Sequence, residues 1–466
     1  MIATADLFRD QRLRGVLPAA VAGIRRDSRT VQPGEAFVAQ GRPGERPRHV
    51  AEAIARGAAL VVLPAGDPAP AGAATAWTED PRRCFARACA ALHGSDRLPF
   101  PVLAATGTKG KTTVVHWTWW CLGEGAARVG TVGLHDGRGE IANPQTTPAP
   151  EVVHAFLGGL PAACPGAAIE ASSHAGDQHR LAGIPFRALA VTGMGRDHLD
   201  YHGTFERYLA SKVAFTAHLG AGSLCVVNAG CPHREAFAAP ARAAGARVVA
   251  LGAAGDAVLA GARGAWTLDG ETLAVPLAGG FNAWNAAAAV LLAEAAGVPR
   301  ATALARLRQA PPPPGRLERL AEGPATYIDY AHTPESIAAA IQALREAHPG
   351  APLAIVFGCG GDRDPGKRTP MGAAAAAADV VVITTDNSRS EAPAAISAMI
   401  RIGLRGHPRT IEEPERGAAI LAARAAVGAA GVVLGAGKGH ETTQDIQGTV
   451  RPWDDRAFVR ALGARP

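Results

Sequence analysis

The sequence predicts an α/β fold in three domains, two of them built on open, mainly parallel sheets. Three observations carry that prediction. From about residue 102 onward, short apolar runs alternate with helical patterns, the signature of βαβ units and a parallel sheet. A glycine-rich turn at 106–113 follows one apolar run and opens a helix. Four consecutive prolines at 311–314 break the alternation. Proline fixes φ and donates no N–H, so this run cannot be helix interior and marks a boundary.

Taken in order, residues 1–96 form the first domain. Apolar runs at 36–39 and 58–63 lie between Gly/Pro/Arg-rich turns, which reads as a small α/β unit. The stretch 95–101 reads as a linker. The second domain, 97–312, opens on the strand 102–105 and continues through strand-like runs at 168–169, 188–192 and 224–228. The third, 313–466, repeats the alternation at 326–330, 353–357, 380–383 and 431–434, a second open, Rossmann-like α/β sheet. The alanine run 373–378 is good helix. No internal repeat of 20–50 residues is present.

Length and composition agree. The chain has 466 residues, room for two to four domains of about 100–200 residues each. Apolar residues make up 48% and charged residues 19%, an ordinary globular balance. The formal net charge is +6, but no dense Lys/Arg block supports a nucleic-acid partner; anionic small molecules fit the charge equally well. The seven cysteines are scattered and form no CxxC pair, which argues against a disulfide framework and a structural zinc site. The first ten residues carry acidic side chains and no apolar segment, unlike a signal peptide. No run of about 20 uncharged apolar residues suggests a membrane span. The expectation is a cytoplasmic protein.

The strongest local signal is Thr106-Gly107-Thr108-Lys109-Gly110-Lys111-Thr112-Thr113. Glycines between a strand and a helix let backbone N–H groups approach phosphate oxygens, and the helix N-terminus adds positive potential. In such a loop Lys111 reaches the β- and γ-phosphates and the Thr112 hydroxyl sits on Mg²⁺. Ala105 stands where a standard Walker A loop has glycine, which points away from generic P-loop ATPases. Trp117, Trp119 and Trp120 on the following helix read as core anchors.

A hard cation such as Mg²⁺ prefers oxygen ligands. Glu170 opens Glu170-Ala171-Ser172-Ser173-His174, just past an apolar strand. The carboxyl ends of parallel strands line the crevice where open α/β folds bind ligands. A second titratable cluster, Arg196-Asp197-His198-Leu199-Asp200-Tyr201-His202, also follows a strand. Any one of these residues alone would read as a solvated loop. Two clusters behind one phosphate loop read as a site. Lys212 lies on the helical pattern 205–215; taken alone it reads as a solvent-facing charge.

These residues resemble the Mur ligases, and within them the branch that adds the third residue of the cell-wall peptide. The resemblance runs through Asp27-Ser28-Arg29, the phosphate loop, Glu170 to His174, Gln178-His179-Arg180 and Arg196 to Gly203. It continues through Asn282 to Asn285, Gly315-Arg316-Leu317-Glu318 and Asp329 to Pro334. The last matches are Gly358 to Asp364, Asp386-Asn387-Ser388-Arg389 and Gly437 to Glu441. It implies an ATP- and Mg²⁺-dependent, ADP-producing ligase of peptidoglycan synthesis, acting as a monomer on UDP-N-acetylmuramoyl-dipeptide and a diamino acid. The UDP-sugar would lie in the first domain, ATP in the central one and the amino acid in the third. The substrate carboxylate would take the γ-phosphoryl group, and the amine would displace phosphate from the acyl phosphate.

Position by position, the resemblance implies ATP contacts at Gly107, Thr108, Lys109, Gly110, Lys111, Thr112, Thr113, Asn282, Arg316 and Asp329. It implies UDP-peptide contacts at Ser28, Thr146, Thr147, Ser173, Gln178 and Arg180, and amino-acid contacts at Asp386, Asn387, Arg389, Gly437 and Glu441. Lys111, Glu170, His198 and Lys212 would be the catalytic set. Thr112, Glu170, His198 and Lys212, the last as a carbamate, would hold Mg²⁺.

Three residues depart from the family pattern: Lys109 stands for an Asn, Gly193 for an Asn, and Ser388 for the Pro of the diaminopimelate-adding motif. Arg389 is retained. A guanidinium pairs with a carboxylate and has no use for a second ammonium, so meso-diaminopimelate is favoured over lysine or ornithine; Glu441 is placed to hold the distal ammonium in either case. Two rival readings are a folylpolyglutamate synthetase-like ligase, which lacks a UDP-binding first domain, and a P-loop motor or switch ATPase, which needs neither the His198 cluster nor the Asp386 motif. A binding protein without catalysis has no need for Lys111, Glu170, His198 and Lys212 together.

Overall fold

The computed structural model describes residues 1–9, 13–15, 17–262 and 264–463. The chain divides into two compact units. The first comprises residues 1–197, 204–250 and 291–303; the second comprises 198–203, 251–290 and 304–466.

The first unit carries two sheets. The N-terminal one has the order Arg14–Gly15, Ala74–Thr78, Leu60–Pro64, Ala36–Val38, Ile24–Arg25. Its last four strands run parallel and the first is antiparallel to its neighbour. Helices Arg46–Ala55 and Pro81–His93 accompany it. Alternate residues of the strands feed two apolar clusters, one around Val38, Leu60 and Phe85, the other around Phe37, Val61 and Leu63, the pattern of a sheet covered on both faces.

The larger sheet runs through Glu140–Ile141, Gly133–His135, Ala127–Gly130, Ala167–Glu170, Val102–Thr106, Ala188–Val191, Leu224–Asn228 and Arg247–Gly252. Val102–Thr106 is central, parallel to Ala167–Glu170 on one side and Ala188–Val191 on the other. All three strands are buried along their whole length, which is why each reads as an unbroken apolar run. Chain order and spatial order diverge here, the position at which open α/β sheets bind ligands beyond the carboxyl ends of their strands.

The second unit is built on Glu318–Ala321, Ala325–Asp329, Val432–Ala436, Leu353–Phe357, Val380–Ile383 and Thr410–Glu412, in that spatial order. Only the first strand is antiparallel to its neighbour. The apolar clusters around Ile355 and Phe357 and around Ala354 and Val356 again lie on opposite faces. An antiparallel ribbon of Ala257–Ala262, Ala265–Leu268 and Glu271–Leu273 also belongs to this unit.

Strand expectations hold to within a residue or two, while of the alanine run 373–378 only the part up to Ala375 is helix, as the end of Arg368–Ala375. The stretch 95–101 is irregular, as a linker would be, yet it is not loosely attached. Ser95 is fully buried and its Oγ lies 2.6 Å from His154 Nδ1. Of the three tryptophans only Trp117 is fully buried; Trp119 lies under the Arg128 guanidinium at 4.7 Å. Among the described residues no helix is long and apolar enough to cross a membrane, and all seven cysteines are buried and free.

One buried ion pair ties the second unit together. Arg416 and Asp455 have fully buried side chains and meet through Nε and Nη2, with contacts of 2.7 Å. Arg416 Nη2 also donates to the Ala436 carbonyl at the end of a central strand. Removing the carboxylate strands a buried cation, which costs about 3–5 kcal/mol. Asp455→Ala should lower the stability of this unit by that amount in chemical denaturation. A loss below about 1 kcal/mol would mean that water replaces the carboxylate.

Candidate active site

The glycine-rich turn is shaped by the close approach of two loops. Gly107 has φ +137°, and a Cβ there would lie 2.1 Å from Thr192 Oγ1. Gly110 has φ +89° and precedes the helix Lys111–Leu122. Both are backbone states that favour glycine. The Thr108 N–H donates to Gly193 O at 2.9 Å. Gly193, where the family pattern suggested Asn, has φ +144° and meets the loop through its backbone. Lys109 is a partly exposed cation 3.3 Å from Asp197, so its extra charge is taken up outside the loop.

Two lysines converge on one carbonyl. Lys111 Nζ donates to Gly107 O at 2.8 Å and to Thr108 O at 3.1 Å. Lys212 Nζ donates to the same Gly107 O at 2.8 Å. Lys212 is 1% exposed, which overturns its reading as a surface charge. Burial, then the neighbouring Lys111 ammonium, hold its pKa well below the ordinary lysine range. The Tyr208 ring lies 5.0 Å from Lys212 Nζ, and Tyr208 OH bonds Thr108 Oγ1 at 2.9 Å.

Glu170 ends its strand buried, at 1% exposure. Its carboxylate accepts from Thr112 Oγ1 at 3.0 Å, Thr131 N at 2.8 Å and Thr131 Oγ1 at 3.0 Å. A Cβ on Gly130 would lie 2.4 Å from Glu170 Oε1, so glycine leaves the room the carboxylate occupies. Thr131 Oγ1 also meets Thr146 at 3.0 Å. The Thr147 hydroxyl is turned inward, donating to Glu170 O at 2.6 Å and accepting from Ser172 N. Hydroxyl and carboxylate oxygens at the helix N-terminus are the donors a hard divalent cation takes.

The same unit holds a cleft of about 570 Å³. Its walls include five arginines, Arg26, Arg29, Arg48, Arg82 and Arg180, with Ser28 and Gln178. Ser28 Oγ donates to Glu52 at 2.7 Å. Arg180 donates to Gln178 Oε1 through Nε and Nη2. Ser173 is buried at the head of the short helix Ser173–Asp177. Asp27 and Glu151 on the same walls pair with Arg29 and Arg26, and with Glu52 they leave the five guanidinium groups in excess, a balance that suits an anion. Arg26, Arg48 and Arg82 were not singled out by the sequence, because isolated arginines carry no local pattern.

The remaining expected residues fall in the second unit. His198 has φ +52° and caps the helix Leu199–His202. Asn282 is 2% exposed and donates to Ala278 O at 2.7 Å. Asp329 accepts from the N–H groups of Leu317 and Ala331. The Arg316 guanidinium lies 4.8 Å over the Tyr330 ring, and His440 packs against that ring at 5.2 Å. Burial, then Arg316, depress His440 to about 4, so it is neutral at physiological pH.

A third group surrounds Asp386. Gly437 has φ +103°, and a Cβ there would lie 2.5 Å from Asp386 Oδ2. Glu441 Oε2 accepts from Asn387 Nδ2 at 2.8 Å and from Lys438 Nζ at 2.7 Å. Glu441 is therefore held through Oε2 by Asn387 and Lys438. Its partner Lys438 is fully buried and also donates to Asn387 Oδ1. No local pattern around Lys438 marks it as inward-pointing.

Comparison with known proteins fits this arrangement. The model of the Mur ligase middle domain matches residues 105–293, and that of the Mur ligase glutamate ligase domain matches residues 315–439. The chain belongs to the Mur ligase family and is an ATP-dependent ligase that forms carbon–nitrogen bonds. It is similar to the UDP-N-acetylmuramoyl-L-alanyl-D-glutamate--2,6-diaminopimelate ligase of Rhizobium meliloti (strain 1021), with 40% identity over 95% of this chain and 94% of that protein. A ligase of the same name from Chelativorans sp. (strain BNC1) is 38% identical over 94% of each. A solved structure of such a ligase superposes with a TM-score of 0.70 at 29% identity, covering 99% of this chain and 98% of the other. Folylpolyglutamate synthase of Mycobacterium tuberculosis, at 22% identity, covers 78% of this chain with a TM-score of 0.62 and shares the fold.

Thr131 tests the geometry, because it touches Glu170 but lay outside the sequence expectations. Thr131→Val removes the hydroxyl contacts to Glu170 and Thr146 and keeps the backbone N–H. ATP-dependent phosphate release should fall about tenfold if the carboxylate needs that bond for its orientation. An unchanged rate would show that Thr112 and the Thr131 N–H suffice.

Proposed function

We propose that this ligase joins meso-diaminopimelate to UDP-N-acetylmuramoyl-L-alanyl-D-glutamate, with ATP as phosphoryl donor, as a cytoplasmic monomer. The observation that carries the choice of amino acid is Arg389, a guanidinium retained in Asp386-Asn387-Ser388-Arg389. A distal carboxylate pairs with it; lysine and ornithine offer none. The names and whole-length similarity of the curated relatives support the same substrate pair. The division into residues 1–96, 97–312 and 313–466 is proposed as the division of labour among UDP-sugar, ATP and amino acid.

The arginine-lined cleft with Ser28 suits the UDP diphosphate, and Gln178 and Arg180 at its wall suit the attached peptide. Thr146, Thr147 and Ser173 are proposed as further contacts to that peptide. Lys111 and the loop N–H groups are proposed to take the β- and γ-phosphates. Asn282, Arg316 and Asp329 are the proposed nucleoside contacts. The peptide carboxylate attacks the γ-phosphorus, ADP leaves, and the carboxylate becomes an acyl phosphate. The amine then attacks the acyl carbon, loses its proton, and inorganic phosphate departs. A carboxylate is a poor electrophile; phosphorylation supplies the leaving group, and positioning with charge neutralisation supplies the rest.

Mg²⁺ fits the oxygen donors at Thr112 and Glu170, and when bound it neutralises charge on the phosphates. The assignment of His198 to the same metal rests on the family resemblance. A neutral buried amine adds carbon dioxide to give a carbamate and a proton, and Lys212, with its depressed pKa, has that character. As a carbamate it exchanges a cation beside Lys111 for an anion.

Phosphate release with UDP-N-acetylmuramoyl-dipeptide and, in turn, meso-diaminopimelate, lysine and ornithine tests the substrate. Diaminopimelate alone should support turnover, and activity with lysine but not diaminopimelate rejects the reading. Lys111→Ala should abolish ligation with the fold retained by circular dichroism; activity within a few-fold of wild type rejects its phosphate role. Lys212→Ala should be inactive and partly rescued by acetate or bicarbonate, and a fully active variant rejects the carbamate.

A further inference from the structure

The loop around Arg389 is held by a hairpin much later in the chain. Strands Thr443–Ile446 and Thr449–Pro452 form that hairpin, and it bonds to the loop residue by residue. Gln444 Nε2 donates to Thr385 O at 2.9 Å, and the Asp445 N–H donates to Asn387 Oδ1 at 3.0 Å. The Arg389 N–H donates to Asp445 O at 3.2 Å. At the tip, the Gln447 N–H donates to Ser388 Oγ at 3.3 Å.

Arg389 has φ +50°. A non-glycine residue stays in the left-handed region only where its surroundings hold it. Its Nη1 donates to Gly361 O at 2.6 Å. Two glycines leave the room: a Cβ on Gly360 would lie 2.9 Å from Arg389 Nη1, and one on Gly361 would lie 1.9 Å from Ser388 O. Nη1 is thus committed to the protein. Nε and Nη2 make no protein hydrogen bond among the described residues, and that edge of a guanidinium accepts a carboxylate bidentately.

Ser388 stands where the family pattern has proline. It is 1% exposed, and its own N–H donates to no protein acceptor among the described residues. A proline would therefore cost no backbone hydrogen bond here; it would lose the hydroxyl that accepts from the Gln447 N–H and restrict the backbone through its ring instead.

We propose that Ser388 and the hairpin turn at Gln447 are positioning residues for the amino-acid substrate: their hydrogen bond holds Arg389 with Nη1 on the Gly361 carbonyl and its Nε/Nη2 edge open to the distal carboxylate. This rests on the reading that the substrate carries such a carboxylate. Ser388 touches no substrate; it acts through the backbone of its neighbour.

Steady-state kinetics with meso-diaminopimelate, ATP and UDP-N-acetylmuramoyl-dipeptide varied in turn test it. Ser388→Ala should raise the KM for diaminopimelate about tenfold while kcat and the other two KM values stay within about twofold. Ser388→Thr keeps the hydroxyl and Ser388→Pro fixes the backbone; at least one should return that KM to within about threefold of wild type. A wild-type KM in Ser388→Ala overturns the proposal. So does a parallel rise in all three KM values, the mark of general loosening, or failure of both rescuing variants. If wild type uses diaminopimelate and Ser388→Ala matches it, the substrate reading stands and only the positioning role falls. If wild type takes lysine and ignores diaminopimelate, both fall together.

Discussion

The Gly107 carbonyl is the point on which the site depends. It accepts both Lys111 and Lys212 at 2.8 Å. It can do so because Gly107 adopts φ +137° against Thr192, where a side chain would collide. Two ammonium groups sharing one oxygen is an unfavourable arrangement, and burial first, then the Lys111 charge, depress the pKa of Lys212. A loop that binds phosphates must gather positive charge, and gathered charge is tolerable only when an anion arrives or one lysine gives up its proton.

Around that point the structure repeats one device. Each catalytic-looking side chain is oriented by a neighbour whose own role is support. Thr131 grips Glu170 through backbone and hydroxyl. Tyr208 braces Thr108 and lies beside Lys212. Lys438, fully buried, holds Asn387 and Glu441 at once. Such supports fix reacting groups to the tolerance that chemistry requires. Glycines supply the complementary device: at 130 and 437, as at 107, a Cβ would occupy the space that a carboxylate or hydroxyl fills.

The second unit applies the same logic at larger scale. The Arg416–Asp455 pair anchors the end of strand Val432–Ala436, from which the Gly437 to Glu441 loop departs. A buried ion pair adds little net stability, but here its bond to the Ala436 carbonyl holds the point where that loop begins. The hairpin that follows clamps the Asp386 to Arg389 loop. Two loops far apart in sequence become one surface because a third segment bonds to both.

The sequence by itself determined the α/β class, the strand positions and the glycine-rich loop between strand and helix. Buried parallel strands must be apolar throughout, and a backbone anion cradle must have glycine. Those are local demands, so Val102 to Thr106, Leu353 to Phe357 and Gly107 to Thr113 were legible one segment at a time. Family order of the motifs drew attention to Glu170, Lys212 and Arg389, whose roles are proposed. Only the tertiary structure decided that Lys212 is buried against Gly107, that Glu441 is already paired with Lys438, and that five scattered arginines line one cleft. The physical reason is range: burial and charge pairing depend on groups brought from elsewhere in the chain, and no spacing rule records them. Ser388 shows the difference most plainly. In sequence it is a missing proline; in the fold its hydroxyl meets the Gln447 N–H, a contact that exists only once the hairpin has closed over the loop.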